Sequence, residues 1–298
     1  MNSVPDAFLD AVCCTLDWSD LAKLKNTCGV EWSSKAAIHH SRRRELTVFI
    51  DVNHEGTEVG IVFKGLDNRT FVSSSLGLKY SKITRIYVNS GLLMNELPEK
   101  TSMERFKKKV LPILRSLAFG CTLSFTSNPL LKLSIAYNLA DSIFSGLHGC
   151  SQLTGIYITG NYAGNCAEFI KNQISLGRLK ELHLEGEVDC PADVQAALRL
   201  LVKSPNFERL DVCGSNLTVN FCMADAFVER FSRGDLSRMA ELQGRGSFPL
   251  KWLKVLHRDK QQLNYRTPEG MTIQWDRPSG GRLTAKHISD SHICLCSY

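Results

Sequence analysis

Four residues near the C-terminus carry side chains that can bind metals: His287, His292, Cys294 and Cys296. Imidazole nitrogens and thiolates are zinc ligands, but the spacing H-x4-H-x-C-x-C is not a familiar zinc pattern. The sequence also lacks the G-x-S-x-G, P-loop and H-E-x-x-H motifs of hydrolases, nucleotide-binding proteins and metalloproteases. We therefore predict no catalytic residue, no metal site and no cofactor, in a protein that is not an enzyme.

The eleven cysteines of the 298-residue chain indicate a reducing compartment. Their number is odd and no C-x-x-C occurs, so they predict buried thiols rather than a disulfide framework. The N-terminus has no basic region followed by an apolar segment, and the most apolar stretch, 110–125, is interrupted by Arg115. We expect a cytoplasmic or nuclear protein with no membrane partner.

Two basic runs, Arg42–Arg44 and Lys107–Lys109, supply much of the net charge of +6. Such runs can bind nucleic acid, but here no aromatic residues interleave with them, and Glu45 and Glu104 lie beside them. Solvated helix faces are the favoured explanation of both runs, and nucleic-acid binding is the weaker alternative.

The order of elements predicts a mixed α/β fold in three parts. Residues 1–44 place apolar side chains at helical spacing, with a break near Asp17 after which Ser19 is a candidate N-cap. Residues 45–77 predict a β-hairpin linker, because two β-rich segments flank a turn. Residues 78–298 predict a leucine-rich-repeat-like α/β domain that ends in an irregular hairpin.

A hydrophobic triplet with the spacing Φ-x-x-Φ-x-Φ recurs between residues 78 and 256. The clearest copies begin at Leu153, Leu179 and Phe207, 26 and 28 residues apart, and helix-like stretches separate them. This interval is typical of leucine-rich repeats, in which each unit supplies a strand and a helix and must stack on its neighbours. A weaker copy begins at Leu250. The outer intervals are longer, so we predict an irregular solenoid.

The N-terminal segment carries a further pattern of apolar, proline, cysteine and tryptophan positions. Its members are Val4, Pro5, Phe8, Val12, Leu16, Leu21, Leu24, Cys28 and Trp32. In type and spacing these residues resemble an F-box. Val4 stands where the family has leucine, and Trp32 comes one residue later after the cysteine than is usual. The whole chain is similar, more loosely, to the divergent F-box proteins that nematodes carry in large numbers.

The resemblance implies that residues 4–32 bind the small adaptor subunit of a cullin-based ubiquitin ligase of the SCF type. The residues it implies at that interface are Val4, Pro5, Phe8, Leu9, Val12 and Leu16. The alternative is that these residues form a helical cap on the repeats, because so short a helical segment must rest against something.

If the N-terminus binds the ligase, the repeats should hold a target protein. In each triplet the residue between two inward-facing apolar residues points to the concave face of the array. With their flanking positions these residues supply the aromatic and charged side chains that protein interfaces favour. The predicted substrate-binding residues are Arg85, Tyr87, Ser124, Tyr157, His183, Glu185, Arg209 and Asp211. The alternative is a solvated strand face with no partner.

The sequence thus predicts a substrate-recognition adaptor of a ubiquitin ligase, with an unknown protein as its substrate. The main alternative is a repeat scaffold that binds a protein and has no ligase role.

Overall fold

The fold is known from a computed structural model. It describes residues 4–27, 29–53, 55–77, 79–88, 97–126, 133–160, 164–185, 190–257, 262–267, 270–277, 280–289 and 291–298. Cys28, which belongs to the F-box-like pattern, lies outside these ranges. The predicted mixed α/β class is confirmed, because helices alternate with the strands of one large mixed sheet.

Three helices form the N-terminal helical module: α1 (Asp6–Thr15), α2 (Trp18–Thr27) and α3 (Val30–Arg42). They enclose a small core of Cys13, Leu21 and Ala36, which is separate from the core of the sheet. The N-cap of α2 is Asp17 and not Ser19, since Asp17 Oδ1 accepts a hydrogen bond of 2.7 Å from the backbone N–H of Asp20. An aspartate at this position satisfies an amide that the helix leaves unpaired.

The predicted hairpin is present, but it is not a separate linker. Strands β1 (Arg44–Val52) and β2 (Glu58–Gly65) are antiparallel, and Asn53 Oδ1 accepts hydrogen bonds from two backbone amides of the turn between them. Strand β1 also pairs in parallel with a later strand, β4 (Ser81–Val88), and its apolar side chains belong to the main core. The alternating Leu46, Val48 and Ile50 explain this, because one face of β1 must leave water.

The edge beyond β2 holds the short strands β3 (Thr70–Phe71) and β5 (Glu99–Ser102), which both pair with β2. After β5 the chain forms one helical stretch with a π-helical turn in its middle. Its parts are α4 (Met103–Arg105), the π turn Phe106–Val110 and α5 (Leu111–Leu117).

The repeat region contributes strands that are parallel and lie side by side in chain order. After β4 they are β6 (Ala118–Phe125), β7 (Leu153–Thr159), β8 (Glu181–Glu185), β9 (Arg209–Asp211) and β11 (Glu241–Gly246). The short β10 (Thr218–Val219) pairs with β11. The helices between and after them are α6 (Leu133–Leu147), α7 (Cys166–Ser175), α8 (Ala192–Lys203), α9 (Phe221–Arg233) and α10 (Lys251–Leu256).

The helices pack in one layer against the apolar face of these strands. Helices that connect one parallel strand to the next form right-handed crossovers, and here the order of strands always proceeds in the same direction across the sheet. All of these helices therefore lie on the same face. Phenylalanine rings pack between the two layers. The ring centroid of Phe144 on α6 lies 4.8 Å from that of Phe125 on β6 and 5.0 Å from that of Phe169 on α7. The opposite face of the strands, here called the open face, carries the alternating polar side chains.

The weak triplet at Leu250 is not a strand. Residues 251–256 form α10, and the strand of this unit is β11, which precedes it. Strand β11 is not evident from the sequence, because its two glycines and single leucine carry little β signal. Pairing with β9 holds it in the sheet, and Gln243 of β11 follows its neighbour Asp211 by 32 residues, close to the repeat interval.

The C-terminal region forms an antiparallel meander that closes this end of the sheet. Its strands are β12 (Gln262–Thr267), β13 (Gly270–Asp276), β14 (Arg282–His287) and β15 (His292–Ser297). The irregular hairpin predicted at the end of the repeat domain corresponds to β12 and β13, and β15 pairs with both β14 and β11. Across the described residues the strands therefore make a single 15-stranded sheet. None of the helices in these ranges has the length and apolar character that a bilayer-spanning segment requires.

Replacing Gly244 with alanine should lower the free energy of unfolding by about 1–3 kcal/mol, because the added methyl group overlaps buried neighbours. A Cβ at this position of β11 would lie 2.5 Å from Val212 Cγ2 and 3.1 Å from Val219 Cγ2. Urea unfolding of the purified chain measures the change. Gly77→Ala is the matched control, since a Cβ there meets no atom within 4 Å. Equal destabilisation by the two changes would contradict the packing around β11.

Candidate functional site

Five of the predicted substrate-binding residues form one row across the open face. Strand register places each directly beside the next, on β4, β6, β7, β8 and β9 in turn. The members of this row are Tyr87, Ser124, Tyr157, His183 and Asp211. Neighbouring strands lie about 4.8 Å apart, so the row extends over about 19 Å.

The other three predicted residues lie on either side of this row. Arg85 and Arg209 belong to a second row, which lies two residues earlier along each strand. Glu181 of β8 lies directly beside Arg209 in this second row. Glu185 lies one pleat beyond His183, beside Thr159. The structure thus brings all eight residues onto one face, although Arg85 and Arg209 are separated by the width of three intervening strands.

A network of hydrogen bonds and ion pairs orients the side chains in the half of the open face near β8 and β9. The hydroxyl of Tyr157 donates to the carboxylate of Glu181. His183 contacts Asp211 Oδ2 through Nδ1 at 2.9 Å and Glu185 Oε2 through Nε2 at 3.4 Å. The side-chain amide of Gln243 donates to Asp211 from the opposite side. Because each group has a partner, this half of the face presents a fixed arrangement of side chains.

These contacts shift the ionisation of the residues involved. Burial raises the pKa of Asp211, but hydrogen bonds from His183, the Cys213 amide and Gln243 outweigh it and lower the pKa to about 2. The hydrogen bond to Asp211 raises the pKa of His183. Burial and the bond to Glu181 raise the pKa of Tyr157 to about 12. His183 is therefore the group in this cluster whose charge changes nearest to neutral pH.

The other end of the open face is aromatic and cationic. The ring of Phe49 on β1 stacks on that of Tyr87 with centroids 5.3 Å apart and an interplanar angle of 15°. Lys64 Nζ lies 5.1 Å from the centroid of Phe49. Arg85 is exposed beside them. Aromatic and arginine side chains together are the typical anchors of protein interfaces.

The open face also includes residues that were not predicted from the sequence, namely Phe49, Glu181, Glu241 and Gln243. Phe49 alternates with the apolar residues of β1, and that signal could have placed it beside Tyr87 if β1 had been recognised as part of the sheet. Glu241 forms a salt bridge of 3.0 Å with Arg209, but it lies on the strand that the sequence did not reveal.

The N-terminal helical module is attached to the sheet through polar contacts. Asp10 bonds to Lys79, just before β4, at 2.8 Å and to His39 of α3 at 2.8 Å. The buried guanidinium of Arg43 donates to the carbonyl oxygens of Leu16 and Cys13 at the end of α1. Arg43 is thus a structural residue, and the run Arg42–Arg44 does not form one continuous basic surface.

The predicted adaptor-binding residues divide into two groups. Val4 and Phe8 are 38% and 54% exposed, and Pro5 is exposed as well; these three form what is here called the terminal patch. Val12 and Leu16 are half-buried, and Leu16 packs against the small core of the module. Leu9 is only 3% exposed, so it supports α1 from the inside and offers no contact surface.

A second aromatic side chain lies beside the terminal patch. The ring of Trp32 on α3 meets that of Phe8 edge to face, with centroids 6.3 Å apart. This contact joins α1 to α3 while leaving more than half of Phe8 in water. The module therefore presents aromatic surface away from the contacts that attach it to the sheet.

The His183–Asp211 pair resembles the base and its orienting carboxylate in hydrolytic sites. Such a site also needs a nucleophile within hydrogen-bond reach of the histidine. Among the residues that the structure describes, no hydroxyl or thiol side chain bonds to His183.

The chain matches no protein-family model and no curated protein.

Asp211→Asn should destabilise the fold more at about pH 5.5 than at about pH 9. The raised pKa of His183 gives a contribution that is complete below its unfolded value of 6.5 and is lost as the pH rises through the folded value. The lowered pKa of Asp211 gives a contribution that is present above 3.8 and is lost as the pH falls toward about 2. The free energies of unfolding of both proteins in urea, measured at the two pH values, test this.

Glu185→Gln is the control, because Glu185 is mostly exposed and meets His183 only at 3.4 Å. It should change the stability little at either pH. A loss in Asp211→Asn that is the same at both pH values would show that the two residues are not electrostatically coupled.

Proposed function

We propose that this chain is a substrate-recognition adaptor of a cullin-based ubiquitin ligase. The N-terminal helical module acts as the F-box and binds the small adaptor subunit of the ligase. The remaining chain acts as a leucine-rich-repeat-like solenoid whose open face binds a target protein. Such a role is carried out in the cytoplasm or the nucleus.

The exposure of the terminal patch carries the first half of the proposal. The F-box resemblance implies that Val4, Pro5 and Phe8 lie at the ligase interface, and these residues are exposed. A module that merely capped the repeats would turn them toward the sheet. Instead the contacts on the sheet side come from Asp10, which bonds to Lys79, and from His39 and Arg42, which lie against the ring of Tyr80.

The small core of the module supports the same conclusion. Three short helices that share few buried residues gain stability when exposed apolar surface is covered by a partner. Phe8 is a rigid aromatic side chain beside Trp32, and aromatic anchors carry much of the binding energy in protein interfaces.

The open face supports the second half of the proposal. It offers stacked Phe49 and Tyr87 with Arg85 at one end and the fixed polar cluster around His183 at the other. A target with an acidic or aromatic segment would complement the first end, and a hydrogen-bonding segment the second. Fixed side chains lose little conformational entropy on binding, which favours recognition.

Phe8→Ala should weaken binding to the purified ligase adaptor about tenfold or more while leaving the stability nearly unchanged, because the side chain is mostly in water in the free protein. Titration calorimetry with the folded full chain measures the affinity. Leu66→Ala is the matched control, since Leu66 is 81% exposed but lies outside the module. It should bind like the wild type.

No binding by the wild-type chain, or equal binding by the Phe8 variant, would contradict the ligase role. A protein-binding scaffold without a ligase would then be the better account.

The double variant Arg85→Ala/Tyr87→Ala should keep the wild-type affinity for the ligase adaptor and lose target proteins. Both side chains lie on β4 in the open face and outside the N-terminal helical module, so we expect the two binding events to be separable. Quantitative capture from cells, with the bound adaptor as internal standard, measures the loss. Lys107→Ala/Lys108→Ala is the control for general loss of positive charge. The same set of captured proteins in both variants would contradict target binding at this end of the open face.

A further inference from the structure

Three metal-ligating side chains meet where the C-terminal meander joins the repeat strands. Cys294 and Cys296 are two residues apart on β15, so their side chains point to the same face of the sheet. Strand register places Cys294 beside Gln243 and Cys296 beside Glu241 on β11, which makes that face the open face. The two Sγ atoms lie 2.8 Å apart, and Cys294 Sγ lies 3.8 Å from Glu241 Oε1.

A disulfide between these cysteines does not fit the strand. Strand β15 is hydrogen-bonded to β11 on one side and to β14 on the other, so its backbone is held extended. The Cα–Cβ bonds of residues two apart on such a strand are nearly parallel, so their Cβ atoms are about 6.7 Å apart, whereas a disulfide needs Cβ atoms about 3.8 Å apart. The sulfurs converge from positions that are too far apart for a covalent bond but suitable for sharing a third atom.

A tetrahedral zinc ion fits between the three ligand atoms. With Zn–S bonds of about 2.3 Å, two thiolates lie about 3.8 Å apart, which small rotations about the Cα–Cβ bonds of the cysteines provide. With a Zn–O bond of about 2.0 Å, a thiolate and a carboxylate oxygen lie about 3.5 Å apart, close to the 3.8 Å between Cys294 and Glu241. All three ligand atoms already lie within 4.8 Å of one another.

We propose that Glu241, Cys294 and Cys296 bind a Zn²⁺ ion, with water in the fourth position. Two thiolates select a thiophilic cation, and the carboxylate favours Zn²⁺ over Cu⁺. The site differs from the cluster that the sequence suggests, because His292 is turned away and its Nε2 lies 3.2 Å from the carbonyl oxygen of Cys213.

The surrounding charges suit the loaded site. Two thiolates and a carboxylate leave one negative charge after binding Zn²⁺, and Arg209, which is 3.0 Å from Glu241 Oε2, balances it. Arg209 holds one carboxylate oxygen and leaves the other, Oε1, toward Cys294.

Described residues contain one other three-ligand cluster, Asp10, Cys14 and His39, and it is a poor cation site. Both carboxylate oxygens of Asp10 already have partners, because Oδ2 lies 2.8 Å from the Lys79 ammonium group and Oδ1 lies 2.8 Å from His39 Nε2. This cluster provides the matched control for the experiment.

Cobalt titration of the reduced, metal-stripped full chain tests the proposal. Co²⁺ replaces Zn²⁺ in thiolate sites and gives a thiolate-to-cobalt charge-transfer absorption together with the visible bands of tetrahedral coordination. The wild type should bind one Co²⁺ with these bands and release it to Zn²⁺. Cys296→Ser should weaken binding about tenfold or more and reduce the charge-transfer absorption, whereas Cys14→Ser should change neither.

Glu241→Gln tests the contribution of the carboxylate to metal binding while both cysteines are kept. The result therefore does not depend on whether a cysteine variant folds. It should weaken binding while keeping the charge-transfer absorption per bound Co²⁺, because both sulfurs remain. Absence of the thiolate band in the wild type, or a band that Cys296→Ser leaves unchanged, would overturn the proposal.

Discussion

Apolar side chains on the core face of one repeat strand can leave water only by packing against the strands and helix of the next unit. Ile156, Leu182 and Leu210 show this: they lie side by side in register, and all are fully buried. No single unit has a core of its own, so the parallel strands stay adjacent in chain order and their helices form one layer. The ends of the stack are then closed by other elements, the β1–β2 edge on one side and the C-terminal meander on the other.

This stacking also creates the open face. Because side chains alternate along a strand, burial of one row fixes the next row on the opposite face, and register then aligns its members across the sheet. Polar and aromatic residues that are distant in sequence, such as Tyr87 and Asp211, therefore belong to one surface. The N-terminal helical module lies outside this stack, with its own small core and an ion pair between Asp10 and Lys79, and its terminal patch is exposed.

The sequence predicts those elements whose signal is local. Leu153, Leu179 and Phe207 mark repeat strands because their triplets recur at a regular interval, and the open-face positions follow from the alternation. Strand β11 could not be predicted, because its place depends on pairing with β9 and β15 rather than on its own residues. For the same reason Gln243 was missed as the partner of Asp211, and Cys294 and Cys296 could not be placed beside Glu241. Leu250–Val255 has strand-like spacing, but after Pro249 it forms a short helix whose Val255 faces water.

Amide hydrogen exchange of the full chain, measured with and without a saturating amount of the ligase adaptor, tests the central claim most directly. If the N-terminal helical module is the docking element, exchange should slow in α1 and in the part of α3 around Trp32, while the repeat strands exchange as before. Unchanged exchange throughout the chain, or slowing confined to the repeat strands, would contradict the claim that this module binds the ligase.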